Sequence, residues 1–214
     1  MQSIADLLED QVKDLYSAEN QLIKALPAVI RKAEDPALKE GLTAHLEETR
    51  AHAARIAEIA VLLEIKPGGK KCVAMEGLIE EGKEVIEEEG RSPVIDLGLI
   101  AACLRIEAYE IAAYSFAAEI ARKVGNEAVA QLFETTLEDE RNASDTLQET
   151  STGIEPESSE DEEGTASGSG SPKTTAQAGG RTGRSSASSA GSVKRPRVSK
   201  DGAMGRARAV RARN

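Results

Sequence analysis

The chain has 214 residues, of which 40% are hydrophobic, 30% charged and only 2% aromatic, with no Trp and a formal net charge of -10. That size suits one ordinary domain with a tail, or two small domains. Two cysteines, Cys72 and Cys103, cannot supply a disulfide framework, and no apolar run approaches the roughly 18 residues of a membrane span.

The N-terminal segment MQSIADLLEDQ is acidic and amphipathic and lacks the basic flank and apolar stretch of a secretory signal, so a soluble, reduced, intracellular protein is expected. Ser3 ahead of Asp6 has the spacing of a capping box and opens a first helix over 3–32, in which Pro27 should produce a kink or an early end. Asp35 before Pro36 opens a second helix over 36–64. A long connection from Lys66 to Ser92 begins with Pro67-Gly68-Gly69 and carries an amphipathic segment, Met75 to Glu88, expected to be a short helix. Ser92 before Pro93 starts the next long helix, 93–123, and Gly125 with Asn126 closes it and opens the last, 126–150, which Gly153 ends. Short connections make the first and second pairs of long helices antiparallel hairpins, and one long crossover between them is ferritin-like wiring. The fold expected for 1–150 is therefore an all-α, antiparallel four-helix bundle with a short fifth helix in its crossover.

From Ser151 onward the composition turns to Gly, Ser, Ala and Thr punctuated by charge, without an aromatic residue. Such a segment cannot bury enough apolar surface to offset chain entropy, and 151–214 is expected to be disordered. The charge divides at the same point, with -14 on residues 1–150 and +4 on 151–214. Within the tail an acidic cluster, Glu155 to Glu163, precedes a basic stretch, Lys173 to Arg213, interrupted by the one acid Asp201. Residues 173–213 could meet nucleic acid, an anionic membrane or an acidic protein. Without aromatics, any nucleic-acid contact would be sequence-blind and salt-sensitive. The plainer alternative is a solvated tail that keeps the protein soluble.

Residues spaced alternately three and four apart trace the inward stripe of each helix. The first helix presents Val12, Leu15, Glu19, Leu22, Leu26 and Val29, and the second Leu38, Leu42, His45, Thr49, His52, Ile56, Ile59 and Leu63. The third long helix presents Ile100, Cys103, Glu107, Glu110, Tyr114, Ala117 and Ala121, and the fourth Val129, Phe133, Thr136, Glu140, Ala143 and Leu147. Each stripe is interrupted near its middle by a carboxylate or an imidazole. Glu48 lies close to the face of His45, and Asp139 flanks Glu140.

Burying an uncompensated charge costs several kcal/mol, and ionised acids gathered in one core repel each other. No Lys or Arg falls on the stripes. A pair of divalent cations is the simplest compensation, and carboxylates with one or two His form a ligand set that iron and manganese accept, iron being favoured. Taken singly, Glu19 could be a boundary residue reaching solvent and either His a satisfied core group. The conjunction of four interruptions carries the metal reading. Glu47, Glu134, Glu138 and the cluster from Glu80 to Glu89 read as solvated faces. Tyr16 and Tyr109 read as packing, as does Tyr114, which could also bond a ligand. Cys103 reads as a small core residue, with thiolate ligation as the alternative.

The segments DLYSAENQL (14–22), HLEETRAH (45–52), KCVAMEGLIEEGKEVI (71–86), IEAYEIAAY (106–114) and TLEDERNASDTL (136–147) resemble the YciF-like stress protein family of the ferritin-like superfamily. The resemblance spans nearly all of 1–150 and leaves out the tail. It implies a helical homodimer in the bacterial cytoplasm, with a dinuclear metal site in each bundle and a stress-associated role. It also makes Glu19 and Glu107 the carboxylates of the first and third long helices, and Glu110 the extra acid of rubrerythrin-like sites. The superfamily pattern of Glu followed three residues on by His is broken twice. Glu48 and His52 are four apart, with His45 three before Glu48, and Glu140 is followed at that distance by Ala143, leaving Asp139 or water to complete the coordination.

The expected metal set is thus Glu19, His45, Glu48, His52, Glu107, Glu110, Asp139 and Glu140, holding two divalent ions. The activity expected of it is oxidation of Fe(II) with reduction of dioxygen or peroxide, or dismutation of peroxide by a dimanganese form. The competing reading is a non-enzymatic dimeric helical protein recruited to DNA or another anionic partner by its basic tail.

Overall fold

The computed structural model describes residues 1–155, so the low-complexity tail and its basic stretch 173–213 lie outside the described residues. Five helices and no strand are found among the described residues: α1 (Ile4–Lys32), α2 (Pro36–Leu62), α3 (Val73–Glu87), α4 (Ser92–Lys123) and α5 (Glu127–Gly153). None of them is long and apolar enough to cross a membrane.

The helix boundaries follow local chemistry. Ser3 Oγ accepts from the Asp6 N–H at 3.0 Å while the Asp6 carboxylate accepts from the Ser3 N–H at 3.2 Å, the reciprocal bonds of a capping box. Asp35 accepts from the Leu38 N–H at 2.9 Å with Pro36 in the first helical position, and Asn126 accepts from the Val129 N–H at 3.1 Å. Gly125, at φ +80°, supplies the left-handed residue that ends α4.

The helix ends lie within three residues of the sequence expectation. Pro27 does not end α1, which runs to Lys32 with Leu26 buried just before the proline and Ala33 buried just past the helix end. α4 begins one residue earlier than expected, with Arg91 rather than Ser92 at its N-cap, and the Ser92 hydroxyl donates instead to Asp96 at 3.4 Å. α5 continues past residue 150 to Gly153.

The buried apolar residues form two clusters. One joins Leu8, Val12 and Leu15 of α1 to Ile56 and Ile59 of α2, Tyr114 to Ala121 of α4, and Val129 to Leu137 of α5. The other joins Leu22 and Leu26 of α1 to Leu38 and Leu42 of α2, Met75 of α3, Ile95 to Ile106 of α4, and Leu147 of α5. The early half of α1 therefore meets the late half of α2, and the early half of α4 the late half of α5. These are the two antiparallel hairpins, and a polar layer separates the clusters at mid-bundle.

The crossover is fastened to the bundle by hydrogen bonds as well as by apolar contact. Cys72 caps α3, its Sγ accepting from the Met75 N–H at 3.4 Å, while its own N–H donates to Ser17 Oγ at 2.9 Å and its carbonyl accepts from Gln21 at 2.9 Å. Tyr109 lies with its hydroxyl 3.0 Å from Cys72 Sγ and donates to Asp14 at 2.6 Å, and Lys70 pairs with Asp14 at 3.1 Å. Tyr109 is thus a hydrogen-bonded fastening rather than mere packing. Gly98 lets α3 and α4 approach closely, since a Cβ there would lie 2.9 Å from Val85 Cγ1. At the same end of the bundle, buried Asp96 accepts from the backbone N–H groups of Glu34 and Asp35, both at 2.9 Å, clamping the α1–α2 turn to α4.

Burial works to raise the Asp14 carboxyl, but the bonds from Tyr109, Cys72 and Lys70 outweigh it and hold the group below the ordinary value of 3.8. A carboxylate with a depressed folded-state pKa contributes stability that is present above its unfolded value and is lost as pH falls through the folded one. Replacing Tyr109 by Phe should therefore cost about 1–2 kcal/mol near pH 7, with the difference from wild type shrinking below roughly pH 4. Urea unfolding of both proteins across that range measures it.

Candidate metal centre

Mid-helix positions of all four long helices converge in the polar layer. Glu19 of α1, His45 and His52 of α2, Glu107 and Glu110 of α4, and Glu140 of α5 are all buried, and the four glutamates are at most 1% exposed. Each sits on the stripe that also buries its apolar neighbours one turn away, so packing of those neighbours forces the acids inward. Apolar clusters lie on both sides of the layer along the bundle.

Two three-residue groups have ligand atoms within 4.8 Å of one another: Glu19, His52 and Glu140, and His45, Glu107 and Glu140. Glu140 belongs to both. His52 Nδ1 lies 3.0 Å from Glu140 Oε1 and 3.8 Å from Glu19 Oε1, and His45 Nε2 lies 3.3 Å from Glu107 Oε1. Although His52 Nδ1 and Glu140 Oε1 are close, neither makes an aligned hydrogen bond. Glu19 Oε2, Glu107 Oε2, both oxygens of Glu110 and both of Glu140 are likewise buried without a hydrogen-bond partner. Buried polar atoms are almost always paired, so this concentration of unpaired lone pairs at one point fits donors arranged around cations.

The other expected ligands occupy different places. Glu110 contributes a fully buried carboxyl that burial and its acidic neighbours push well above the ordinary value, and it falls outside both groups. Glu48 is half exposed, 3.7 Å from His45 Nδ1, and is also outside them. Asp139 stands behind the imidazole of His52, with Oδ2 3.3 Å from Nε2. Arg55 holds it there, donating to Asp139 at 3.2 Å and to Thr136 Oγ1 at 2.6 Å. A carboxylate on the far nitrogen fixes both the tautomer and the ring angle of a ligating His. Sequence reading missed Arg55 because it lies beside the stripe of α2, not on it. Tyr114 donates a hydrogen bond to Glu19 Oε1 and packs edge-on to His52, with ring centroids 6.4 Å apart. Burial and Glu107 push the Cys103 thiol up to about 12, and the residue falls outside both groups.

The electrostatics record the crowding. Burial, followed by the charge of Glu140, raises Glu19 to about 8, and burial with Glu140 and Glu19 raises Glu107 to about 8 despite His45. Burial pushes Glu110 up strongly as well, with Glu19, Glu140 and Glu107 adding to it. For His45 burial acts downward, but Glu48, Glu107 and Glu140 carry it up to about 9, and His52 is raised similarly by Glu140, Glu19 and Asp139.

The fold and this layer define a ferritin-like helical protein with a buried carboxylate and imidazole centre. Residues 3–159 match the family described as Domain of unknown function (DUF892), and the chain belongs to that family. It is 42% identical over 142 residues to Protein YciF of Escherichia coli, a match covering 66% of this chain and 86% of that one. The crystal structure of the E. coli stress protein YciF superposes with a TM-score of 0.70 at 39% identity, covering 72% of this chain and 98% of that one. YcfI from Rhodopseudomonas palustris gives a TM-score of 0.67 at 36% identity, covering 69% and 94%. A Xanthomonas campestris protein at 24% identity and a TM-score of 0.59 shares the fold, covering 71% and 93%.

Two outcomes test the centre. With folded-state pKa values of about 8 for Glu19 and Glu107, the folded chain keeps protons that the unfolded chain has released above about 4.5. His45, raised to about 9, likewise adds stability that is lost as pH rises. Chelator-treated protein should therefore be less stable at pH 8 than at pH 5.5, by at least about 2 kcal/mol in urea unfolding. Asp139→Asn should leave the fold intact and weaken metal affinity about 10- to 100-fold in competitive titrations.

Proposed function

We propose that the protein binds two divalent metal ions in the bundle centre, one at Glu19, His52 and Glu140 and one at His45, Glu107 and Glu140, with Glu140 shared between them. The observation that carries this reading is the set of buried, unpaired carboxylate oxygens, whose ion-pair partners among the described residues are His45 and His52. Four carboxylates, those of Glu19, Glu107, Glu110 and Glu140, would balance the charge of two divalent cations with both imidazoles neutral. Such a balance removes the repulsion between carboxylates that adds to burial in raising Glu19 and Glu107 to about 8. A donor set rich in carboxylate with two imidazoles suits iron, and after it manganese.

Bound there, a pair of such ions would supply redox chemistry toward dioxygen or peroxide. The protein's own part is to hold the ligands and keep the centre dry. Leu15 and Leu22 bracket Glu19 along α1, and Phe133 and Leu147 lie on either side of Glu140 along α5, all of them buried. Tyr114 orients Glu19 through its hydroxyl, and Asp139 with Arg55 orients His52. Each contact limits the freedom of a ligand that would otherwise have to be ordered when metal binds.

Elemental analysis of protein purified with iron or manganese supplied should give two metal ions per chain. Glu140→Ala should lose both, because it takes a ligand from each group, and Glu107→Ala should lose stoichiometric loading. A wild-type protein without metal, or a Glu140→Ala variant with undiminished metal, would overturn the reading.

A further inference from the structure

A cleft of about 120 Å³ opens between α2 and α5 and reaches the ring of His45. It exists because small residues face each other across the helix pair. Gly41 lies on the α2 side and Ala143, one turn after Glu140, on the α5 side. A Cβ at Gly41 would meet nothing nearer than Thr146 Cγ2 at 3.8 Å. Leu42 and Leu147 form apolar walls, and Glu48 and Thr146 supply polar atoms.

At its inner end the cleft has a buried polar atom that makes no hydrogen bond. The His45 side chain is only 9% exposed, and its Nδ1 makes no hydrogen bond, the nearest acid being Glu48 at 3.7 Å. Nε2 of the same ring is turned to Glu107, so the Nδ1 edge is the one on the side of Glu48 and the cleft. A hydroxyl placed between Nδ1 and the Glu48 carboxylate would satisfy both. The walls set the rest of the ligand. No Lys or Arg lines the cleft, and with the His45 ring neutral, as in the proposed metal-bound state, Glu48 beside a body of charge -14 disfavours an anion. With cavities of roughly 150 Å³ admitting a benzene ring, the space suits a molecule of about five or six non-hydrogen atoms.

We propose that this cleft binds a small, uncharged, hydroxyl-bearing organic molecule, seated on Leu42 and Leu147 with its hydroxyl between Glu48 and His45. The cleft stands on its own geometry, while its use as a substrate site rests on the metal reading above. The molecule would sit against the outer edge of a ligand imidazole, with the His45 ring between it and Glu107.

Trifluoroethanol, observed by fluorine NMR at millimolar concentration with full-length protein, is a suitable probe. Wild type should broaden its signal saturably and release it on addition of ethanol, while trifluoroacetate, of matching shape and negative charge, should not bind. Ala143→Leu, which fills the cleft, should weaken binding about tenfold, and Gly41→Ala, which adds one methyl in ordinary contact, about two- to threefold. Thermal melting confirms that each variant is folded, and should Ala143→Leu fail to fold, Gly41→Ala decides. Absence of saturable broadening in wild type, equal affinity in the folded variants, or binding of trifluoroacetate would overturn the proposal. Metal content measured on the same samples separates the two readings. Metal without broadening removes the cleft site alone, and broadening without metal keeps the cleft and removes the metal centre.

Discussion

The constraint on which the rest of this molecule depends is the burial of four glutamates in one layer at the middle of a helical bundle. Each belongs to a different turn of an otherwise apolar stripe, and none can leave the layer without pulling Leu, Phe or Tyr neighbours from the core with it. Apolar clusters on both sides enforce the arrangement. Their contribution, at about 1.5–3 kcal/mol for each large buried side chain, is what makes an unfavourable polar layer sustainable in the folded chain. The layer is accordingly a place where stability has been given up locally while the surroundings over-determine the geometry, the usual condition of a functional site.

The remaining polar contacts in the interior serve to keep the helices in register around that layer. Asp96 ties the α1–α2 turn to α4, and the group formed by Asp14, Tyr109, Cys72 and Lys70 ties the start of α3 to α1 and α4. Both lie within the reach of α1 and α4, the helices that carry Glu19, Glu107 and Glu110. A shift of either helix by a single residue would rotate its acid by about 100° out of the layer. The crossover segment, whose own buried residues are Met75 and Gly82, therefore does more than connect two hairpins; its hydrogen bonds index α1 against α4.

Much of this was legible in the chain. Period-3.6 stripes placed Glu19, His45, His52, Glu107, Glu110 and Glu140 inward, and all six are buried. Capping residues Ser3, Asp35 and Asn126 marked the helix starts where they occur. Contacts that join residues far apart in sequence were not legible, since periodicity reports a face and not a partner. Tyr109 bonds Asp14 across 95 positions and Arg55 bonds Asp139 across 84, and neither pair has a local signature. Glu48 illustrates the limit from the other side. At about 100° per residue it falls some 60° from His45, close enough to share a face on paper, but the boundary of the buried stripe runs between them and leaves Glu48 half exposed.

The departures from the Glu-x-x-His pattern have a common physical reading. His45 and His52 are seven residues apart, two full turns of α2, so both project toward the same side of that helix at different heights. Each then meets a different group, His45 with Glu107 and His52 with Glu19, and Glu140 of α5 lies within reach of both. One helix supplies both nitrogens and the facing helix supplies the common carboxylate. In the proposed centre both imidazoles would come from α2, so α5 would need no histidine one turn after Glu140, where Ala143 stands. The small side chain there, opposite Gly41, leaves the cleft beside His45.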